Sequence, residues 1–460
     1  MVDAFTYLKT NNNNKVRTNC LIGLDSSKSA LKDELSSENY KKYENAFTNI
    51  FDATALSDFD RAVDMAKKII SFLDNEEAKF EIVFLPYNSS MWDSMESIYL
   101  AAKDDIMCNA VVIPIPYFDR NDNGEFGKMH YEGNQFPDYV PITDYREYDF
   151  QIKRPDVIYI HNPFDQYNIV TSVHPFFYSK NLRNFTDMLV YVPYFICGSY
   201  SNLEAFASKH CNEALNNINY FIAQSKYHGE LLEKIGYPKN RIKALGSPKI
   251  DKIVNTIDYD IPQSWKKKIG NKKVVILNSS IGSLLSEEKY LEKLENRIES
   301  IIAFKEIILI WRPHPLLEAT INSMRTVFKD KYSLIMHKCK NSDRIIVDNL
   351  PDTMASTYIS DGMISDISSW MRQYVATGKP ILMLNGKSNF RDTYLCVFDH
   401  FSNYFIRDGF TIEKFCEDVI LNNNDTKKAE RKKYLESSVN DLSGNVGRNI
   451  HLNIIAEINK

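Results

Sequence analysis

Arg312 and His314 stand two residues apart in Trp311-Arg312-Pro313-His314-Pro315, directly after the apolar run Ile307-Ile308-Leu309-Ile310. A guanidinium and an imidazole so spaced can bind an anion, and the prolines restrict the backbone that carries them. Further along, Gly362-Met363-Ile364 leads into Ser365-Asp366-Ile367-Ser368-Ser369-Trp370. Hydroxyls and unpaired backbone N–H groups at a helix start suit a phosphate. Taken separately, the two segments are a rigid exit loop with a surface cation and an ordinary N-cap. Together, each after a short apolar run, they describe one shared phosphate site around Arg312, His314, Asp366, Ser368 and Ser369.

Those residues need strands to carry them. Residues 307–310 are too few for a helix and are β-branched or leucine, as in a strand buried on both faces. In open parallel sheets, ligands bind beyond the carboxyl ends of the strands. Further strands are predicted at 274–278, 344–347, 362–364 and 381–384, and in the first half at 80–85, 110–115, 157–160, 189–192 and 220–223. Helical patterns intervene, notably at 92–102 and 225–235, and the helix after Ser368 and Ser369 should run to about Ala376. Short strands alternating with helices favour doubly wound α/β sheets. A polar stretch at 255–264 containing Pro262 divides the chain. The expected organisation is a helical N-terminal extension (1–73, with two helices in 36–73), a Rossmann-like domain (74–254), a second one (265–440) and a C-terminal helix (441–460).

Arg-Pro-His-Pro, then Ser-Asp-x-Ser-Ser, a helix and Lys379-Pro380-Ile381 resembles the CDP-glycerol glycerophosphotransferase family, the teichoic-acid glycerol- and ribitol-phosphate primases and polymerases. Two further segments agree. Phe221-Ile222-Ala223-Gln224-Ser225 through Leu245-Gly246-Ser247-Pro248-Lys249-Ile250-Asp251 is similar to that family's Gly-x-Pro-Arg-x-Asp passage, with Lys249 in place of arginine. Asp441-Leu442-Ser443-Gly444-Asn445 to Arg448 resembles its Asp-Gly-x-x-x-x-Arg element. The resemblance spans about residues 185–455. It implies the GT-B arrangement, two Rossmann-like domains facing across a cleft, with acceptor on the first and nucleotide donor on the second. It also implies transfer of a polyol phosphate from a CDP-activated donor to a cell-surface glycopolymer precursor, with release of CMP. Ser279, Ser280, Gly246 and Arg448 would be secondary contacts on the nucleotide side.

Members of that family carry a Trp-His-Gly-Thr-Pro-x-Lys element whose histidine serves as base. The corresponding stretch here, Leu189-Val190-Tyr191-Val192-Pro193-Tyr194-Phe195, has neither histidine nor lysine. Two histidines nearby are the candidate replacements: His161 in Ile160-His161-Asn162-Pro163, and His174 in Ser172-Val173-His174-Pro175. A neutral imidazole accepts a proton near pH 7. Each could equally be a loop cap that bonds backbone. His314 is the third catalytic candidate, beside Arg312 on the pyrophosphate. The aromatic residues of this region, among them Tyr159, Tyr167, Phe176 and Tyr194, are mostly core, with a minority available to stack on a polyol acceptor.

With 44% apolar and 25% charged residues, the 460-residue chain is an ordinary globular one. A net charge of −4 gives no reason to expect a nucleic-acid partner, which would call for a strong basic excess. Local basic clusters at Lys266, Lys267, Lys268, Lys272 and Lys273, and at Lys427, Lys428, Arg431, Lys432 and Lys433, are solvated faces or else a peripheral contact with anionic lipid. Seven cysteines without C-x-x-C spacing give no disulfide framework or zinc knuckle. Asp119, Asn121, Asn123 and Gly124 open like a calcium loop, but His130 stands where the bidentate Glu belongs, leaving a turn. No metal and no cofactor is expected. The longest apolar stretches fall well short of the ~20 residues that span a bilayer, and no secretory signal is present, so a cytoplasmic protein, or one at the inner face of the membrane, is expected. Two other functions share the same diphosphate site: a GT-B nucleotide-sugar glycosyltransferase or epimerase, and a catalytically silent nucleotide-binding homologue.

Overall fold

The computed structural model describes residues 1–34, 37–73, 79–121, 123–168, 170–197, 199–200, 202–255, 259–279, 284–285, 287–314, 317–350, 352–366, 368–384, 395–396, 403–406 and 409–459. It divides into two compact units, Met1–Ile82 with Lys103–Ala110, and Val83–Ala102 with Val111–Lys460.

The first unit is mainly helical: α1 (Val2–Leu8), α2 (Asn14–Glu34), α3 (Ser37–Ala55) and α4 (Phe59–Leu73). In α4 the buried residues Ala62, Val63, Ala66 and Ile69 recur at helical spacing, and they face Phe5, Leu8, Leu24, Phe47 and Ile50. α1 and α2 occupy the polar, asparagine-rich start of the expected helical extension, ahead of the two helices expected in 36–73.

The strands, in chain order, are β1 (Phe80–Leu85), β2 (Cys108–Val112), β3 (Tyr117–Arg120), β4 (Phe126–His130), β5 (Val157–Ile160), β6 (Thr171–Val173), β7 (Met188–Tyr191), β8 (Ser199–Tyr200), β9 (Tyr220–Ala223), β10 (Ile242–Ala244), β11 (Lys273–Asn278), β12 (Ile307–Arg312), β13 (Ile345–Val347), β14 (Gly362–Ser365), β15 (Ile381–Met383), β16 (Leu395–Cys396) and β17 (Tyr404–Phe405). One six-stranded sheet has the order β10-β9-β7-β5-β1-β2. Its chain winds outward from β1 to β2, then crosses to β5 and proceeds the other way, so the direction reverses between β1 and β5. The other has the order β13-β12-β11-β14-β15-β17, parallel throughout, and reverses between β11 and β14. Such reversal points leave a crevice at the carboxyl ends of the strands, where ligands of doubly wound folds bind.

The second sheet is buried on both faces, as its unbroken apolar runs require. Val275, Leu277, Leu309, Trp311 and Ile364 enter one core, while Val274, Ile276, Ile308, Ile310 and Met363 enter the other. A smaller antiparallel sheet, β4-β3-β6, carries His174 at its end. The sequence-predicted helix at 92–102 is a 3₁₀ segment (Ser89–Ser94) followed by α5 (Glu96–Asp104). The last helix, Val446–Ile458, returns to the first sheet. Asp251 accepts the Val446 and Gly447 N–H groups at 3.0 and 2.7 Å, and Glu457 takes the Tyr220 hydroxyl at 2.9 Å and Lys243 Nζ at 2.5 Å. Asp251 thus caps a helix about two hundred residues away in sequence. Gly246 lies beneath it with φ +115°, and a Cβ there would stand 2.9 Å from Val446 Cγ2.

Candidate active site

The reversal point of the second sheet brings three strand ends into one row. Asn278 of β11 is in register with Arg312 of β12 on one side and Ser365 of β14 on the other. Asn278 Nδ2 donates to Ser365 Oγ at 2.9 Å and to Ser368 Oγ at 2.8 Å. Ser368 Oγ also accepts the Met371 N–H at 3.1 Å and so caps the helix Ser369–Tyr374. That helix has six residues and continues as a 3₁₀ turn, Val375–Thr377, which is shorter in its α-helical part than the sequence suggests. Ser279 is buried and accepts the Trp311 indole N–H at 3.2 Å.

Arg312 is held from behind. Its Nη1 lies 2.8 Å from Asp348 Oδ2, Nη2 donates to the Leu350 carbonyl at 2.9 Å, and the guanidinium sits 5.7 Å from the centre of the Trp370 ring. Asp348 is itself fixed by the Leu350 N–H at 2.9 Å and the Ser356 hydroxyl at 2.6 Å. A buried carboxylate so placed aims the guanidinium and offsets part of its charge. His314 is half-buried two residues further, and burial lowers its pKa, which keeps the imidazole neutral at pH 7. Asp366 is buried at the end of β14. Ser369 opens the helix, but its side chain lies outside the described residues, as does all of Ser280.

At the reversal point of the first sheet, His161 follows β5 and is fully buried. Its Nε2 accepts the Tyr87 N–H at 3.2 Å, so Nδ1 carries the proton and faces Ser94 Oγ at 3.1 Å. Burial, with Lys249 nearby, pulls its pKa down to about 3. Lys249, standing where the resemblance has arginine, is buried against Asp93 Oδ1 at 2.5 Å. Both nitrogens of His161 are therefore engaged in joining β1, β5 and the Ser89–Ser94 turn, the arrangement of a structural histidine rather than a poised base. His174 accepts the Phe176 N–H at Nδ1 over 3.3 Å and caps the turn Pro175–Phe177. It sits on the small antiparallel sheet.

Three residues unnoticed in the sequence join these sites. Asn278 ends β11, and Asp348 directly follows β13. Near the first reversal point, Glu132 collects the Ser89 N–H at 2.8 Å, the Ser89 hydroxyl at 2.9 Å and the Tyr117 hydroxyl at 2.7 Å. Gly246 packs against Val446 at the start of the return helix, and Arg448 is exposed in that helix's first turn. No described contact joins them to the Arg312 row. In the second basic cluster Arg431 is fully buried, donating through Nε to the Gly378 carbonyl at 3.0 Å and paired with Asp425, so it belongs to the core and not to a surface patch.

Residues 199–450, more than half of the chain and including the whole Arg312 row, match the family of CDP-glycerol:poly(glycerophosphate) glycerophosphotransferases. The chain belongs to this family. Solved structures extend the likeness in fold. The wall teichoic acid polymerase TagF is 14% identical, with a TM-score of 0.52 over 92% of this chain and 98% of its own. A UDP-N-acetylglucosamine 2-epimerase is 13% identical, with a TM-score of 0.52 over 83% and 95%. MnaA of S. aureus, solved with UDP, is 12% identical, with a TM-score of 0.54 over 82% and 97%. The two doubly wound domains are those of the GT-B fold. No curated protein sequence matches the chain.

Proposed function

We propose that this family member moves glycerol or ribitol phosphate from a CDP-linked donor to a membrane-linked or oligosaccharide acceptor of a cell-surface polymer. The observation that carries the reading is the Asn278, Arg312 and Ser368 row at the reversal point of a sheet inside the family match. In this reading residues 265–440 hold the donor diphosphate at Arg312, His314, Asp366, Ser368 and Ser369, with Ser279, Ser280, Gly246 and Arg448 secondary. Residues 74–254 hold the acceptor, and 441–460 tie back to them. The acceptor hydroxyl oxygen bonds to the phosphorus bearing the polyol, the bond from that phosphorus to CMP breaks, and the hydroxyl proton departs. Such transfer depends on positioning and on neutralising charge that grows on the phosphoryl oxygens.

Arg312 supplies fixed positive charge, and neutral His314 can donate or accept one hydrogen bond at the transferred group. His161 and His174, the other two base candidates, are engaged as described above. That engagement favours a second reading, a nucleotide-binding homologue without turnover. The two are separated by mixing CDP-glycerol or CDP-ribitol with a lipid-linked acceptor and measuring CMP. CMP release that depends on acceptor and is lost in His314→Ala supports the transferase. Donor binding without CMP release supports the silent homologue.

No helix among the described residues is long and apolar enough to cross a membrane. We place the acceptor at the cytoplasmic face of the membrane, with exposed Lys266, Lys267, Lys272, Lys428, Lys432 and Lys433 as the peripheral contact.

A further inference from the structure

Cys197, His210 and His228 converge from three elements: the segment after β7, the last residue of the helix Leu203–His210, and the first turn of the helix Lys226–Lys234. All three are buried, and their ligand atoms lie within 4.8 Å of one another. One sulfur and two imidazoles form a donor set that suits zinc, whose tetrahedral bonds place such atoms about 3.3–3.6 Å apart. A modest contraction of this cluster reaches that spacing. The second observation is independent: His228 Nε2 is buried and has no hydrogen-bond partner. A buried ring nitrogen without a partner is costly, and a cation supplies one.

We propose that Cys197, His210 and His228 bind a zinc ion that fastens the segment after β7 to the two helices. The Tyr200 hydroxyl lies 3.0 Å from His210 Nε2. Phe206 stacks on His210 with centroids 4.2 Å apart, and Phe206 and Phe221 meet His228 edge-on, so the site is dry. Coordination releases the Cys197 thiol proton to solvent. The Gln224 N–H lies 3.4 Å from His228 Nδ1, a contact at the long limit for a hydrogen bond, and it yields when Nε2 takes the metal and the ring proton moves to Nδ1. The fastened segment is the one that stands where relatives carry their histidine element. Ile196, one residue before the proposed ligand, reaches the core beneath the second sheet. The ion would hold that segment in place, a structural role rather than a step in transfer.

The test uses the full chain, purified by gel filtration over chelating resin and analysed for metal by mass spectrometry. About one zinc per chain is expected, falling below about a tenth in folded Cys197→Ala and His228→Phe variants. Protein stripped by a strong chelator and titrated with Co²⁺ should develop thiolate-to-cobalt charge-transfer absorption. This second readout needs only the unmodified chain and decides the matter if the variants do not fold. Substoichiometric zinc together with no thiolate band on cobalt overturns the proposal. So does zinc retained unchanged in folded Cys197→Ala. Either result would make the cluster a hydrogen-bonded aromatic core.

Discussion

Arg312 balances a buried carboxylate while it waits for a phosphate, so its replacements should separate into two effects. Arg312→Ala removes the partner of Asp348, whose side chain is completely buried, and should lower stability by about 3 kcal/mol in a denaturant melt. Arg312→Lys keeps a charge but loses the planar fork, and should weaken CDP-glycerol binding by roughly tenfold in calorimetric titration while melting closer to the parent. Equal donor affinity in the lysine variant would remove Arg312 from the diphosphate. The buried histidines predict a pH dependence with a definite sign. In the metal-free chain burial pulls the pKa of His161 down to about 3, of His210 to about 4 and of His228 to about 3, each below the ordinary 6.5 because burial opposes the charged ring. The unfolded chain therefore binds more protons between those values and 6.5, and stability is full above pH 6.5 and declines as acid is added. Each histidine should account for about 1 kcal/mol between pH 7 and 5.5. Urea melts of the chelator-stripped chain at the two values measure the sum, and a flat profile would mean that these rings are not buried neutral.

Among the elements, the return helix Val446–Ile458 depends on a junction with little room. Gly246 combines a φ of +115° with a neighbour at 2.9 Å from any added Cβ, so Gly246→Ala should cost more than about 1 kcal/mol, and Val446→Ala in the same chain should recover the steric part but not the backbone part. Thermal melts of the single and double variants check the split. Strand positions such as 157–160, 220–223 and 274–278 were legible because a strand covered on both faces must be apolar without interruption. Ile242–Ala244 and Tyr404–Phe405 were not. They are three- and two-residue edge strands, too short to show a period. Arg312, His314 and Ser368 were legible as polar residues at apolar strand ends. Asn278 and Asp348 carry the same signal, but one asparagine or aspartate after a strand is commonplace, and only the register of β11 against β12 and β14 shows what Asn278 joins. Cys197, His210 and His228 lie too far apart in sequence to suggest a cluster, since their meeting depends on the sheet beneath them.

For the molecule as a whole, the fold leaves the donor open. A wall teichoic acid polymerase and a UDP-N-acetylglucosamine 2-epimerase match it with equal TM-scores of 0.52. What separates the readings is the family match over residues 199–450 and the chemistry of the donor's base and leaving group. A ligand that binds only the folded chain stabilises it by about 2.7 kcal/mol at one hundred times its dissociation constant. CDP-glycerol or CDP-ribitol should therefore raise the melting temperature by a few degrees, CDP alone should retain most of the shift through the diphosphate, and UDP-N-acetylglucosamine at the same concentration should give less. Arg312→Lys should blunt the response to all three, because the diphosphate is common to them, whereas the order of the three reports the base and the polyol. Protection by UDP-N-acetylglucosamine equal to or above that by the CDP donors would turn the assignment toward nucleotide-sugar chemistry. Loss of the shift in Arg312→Lys would still hold the diphosphate at Arg312, so the position of the site and the identity of its donor can fail separately.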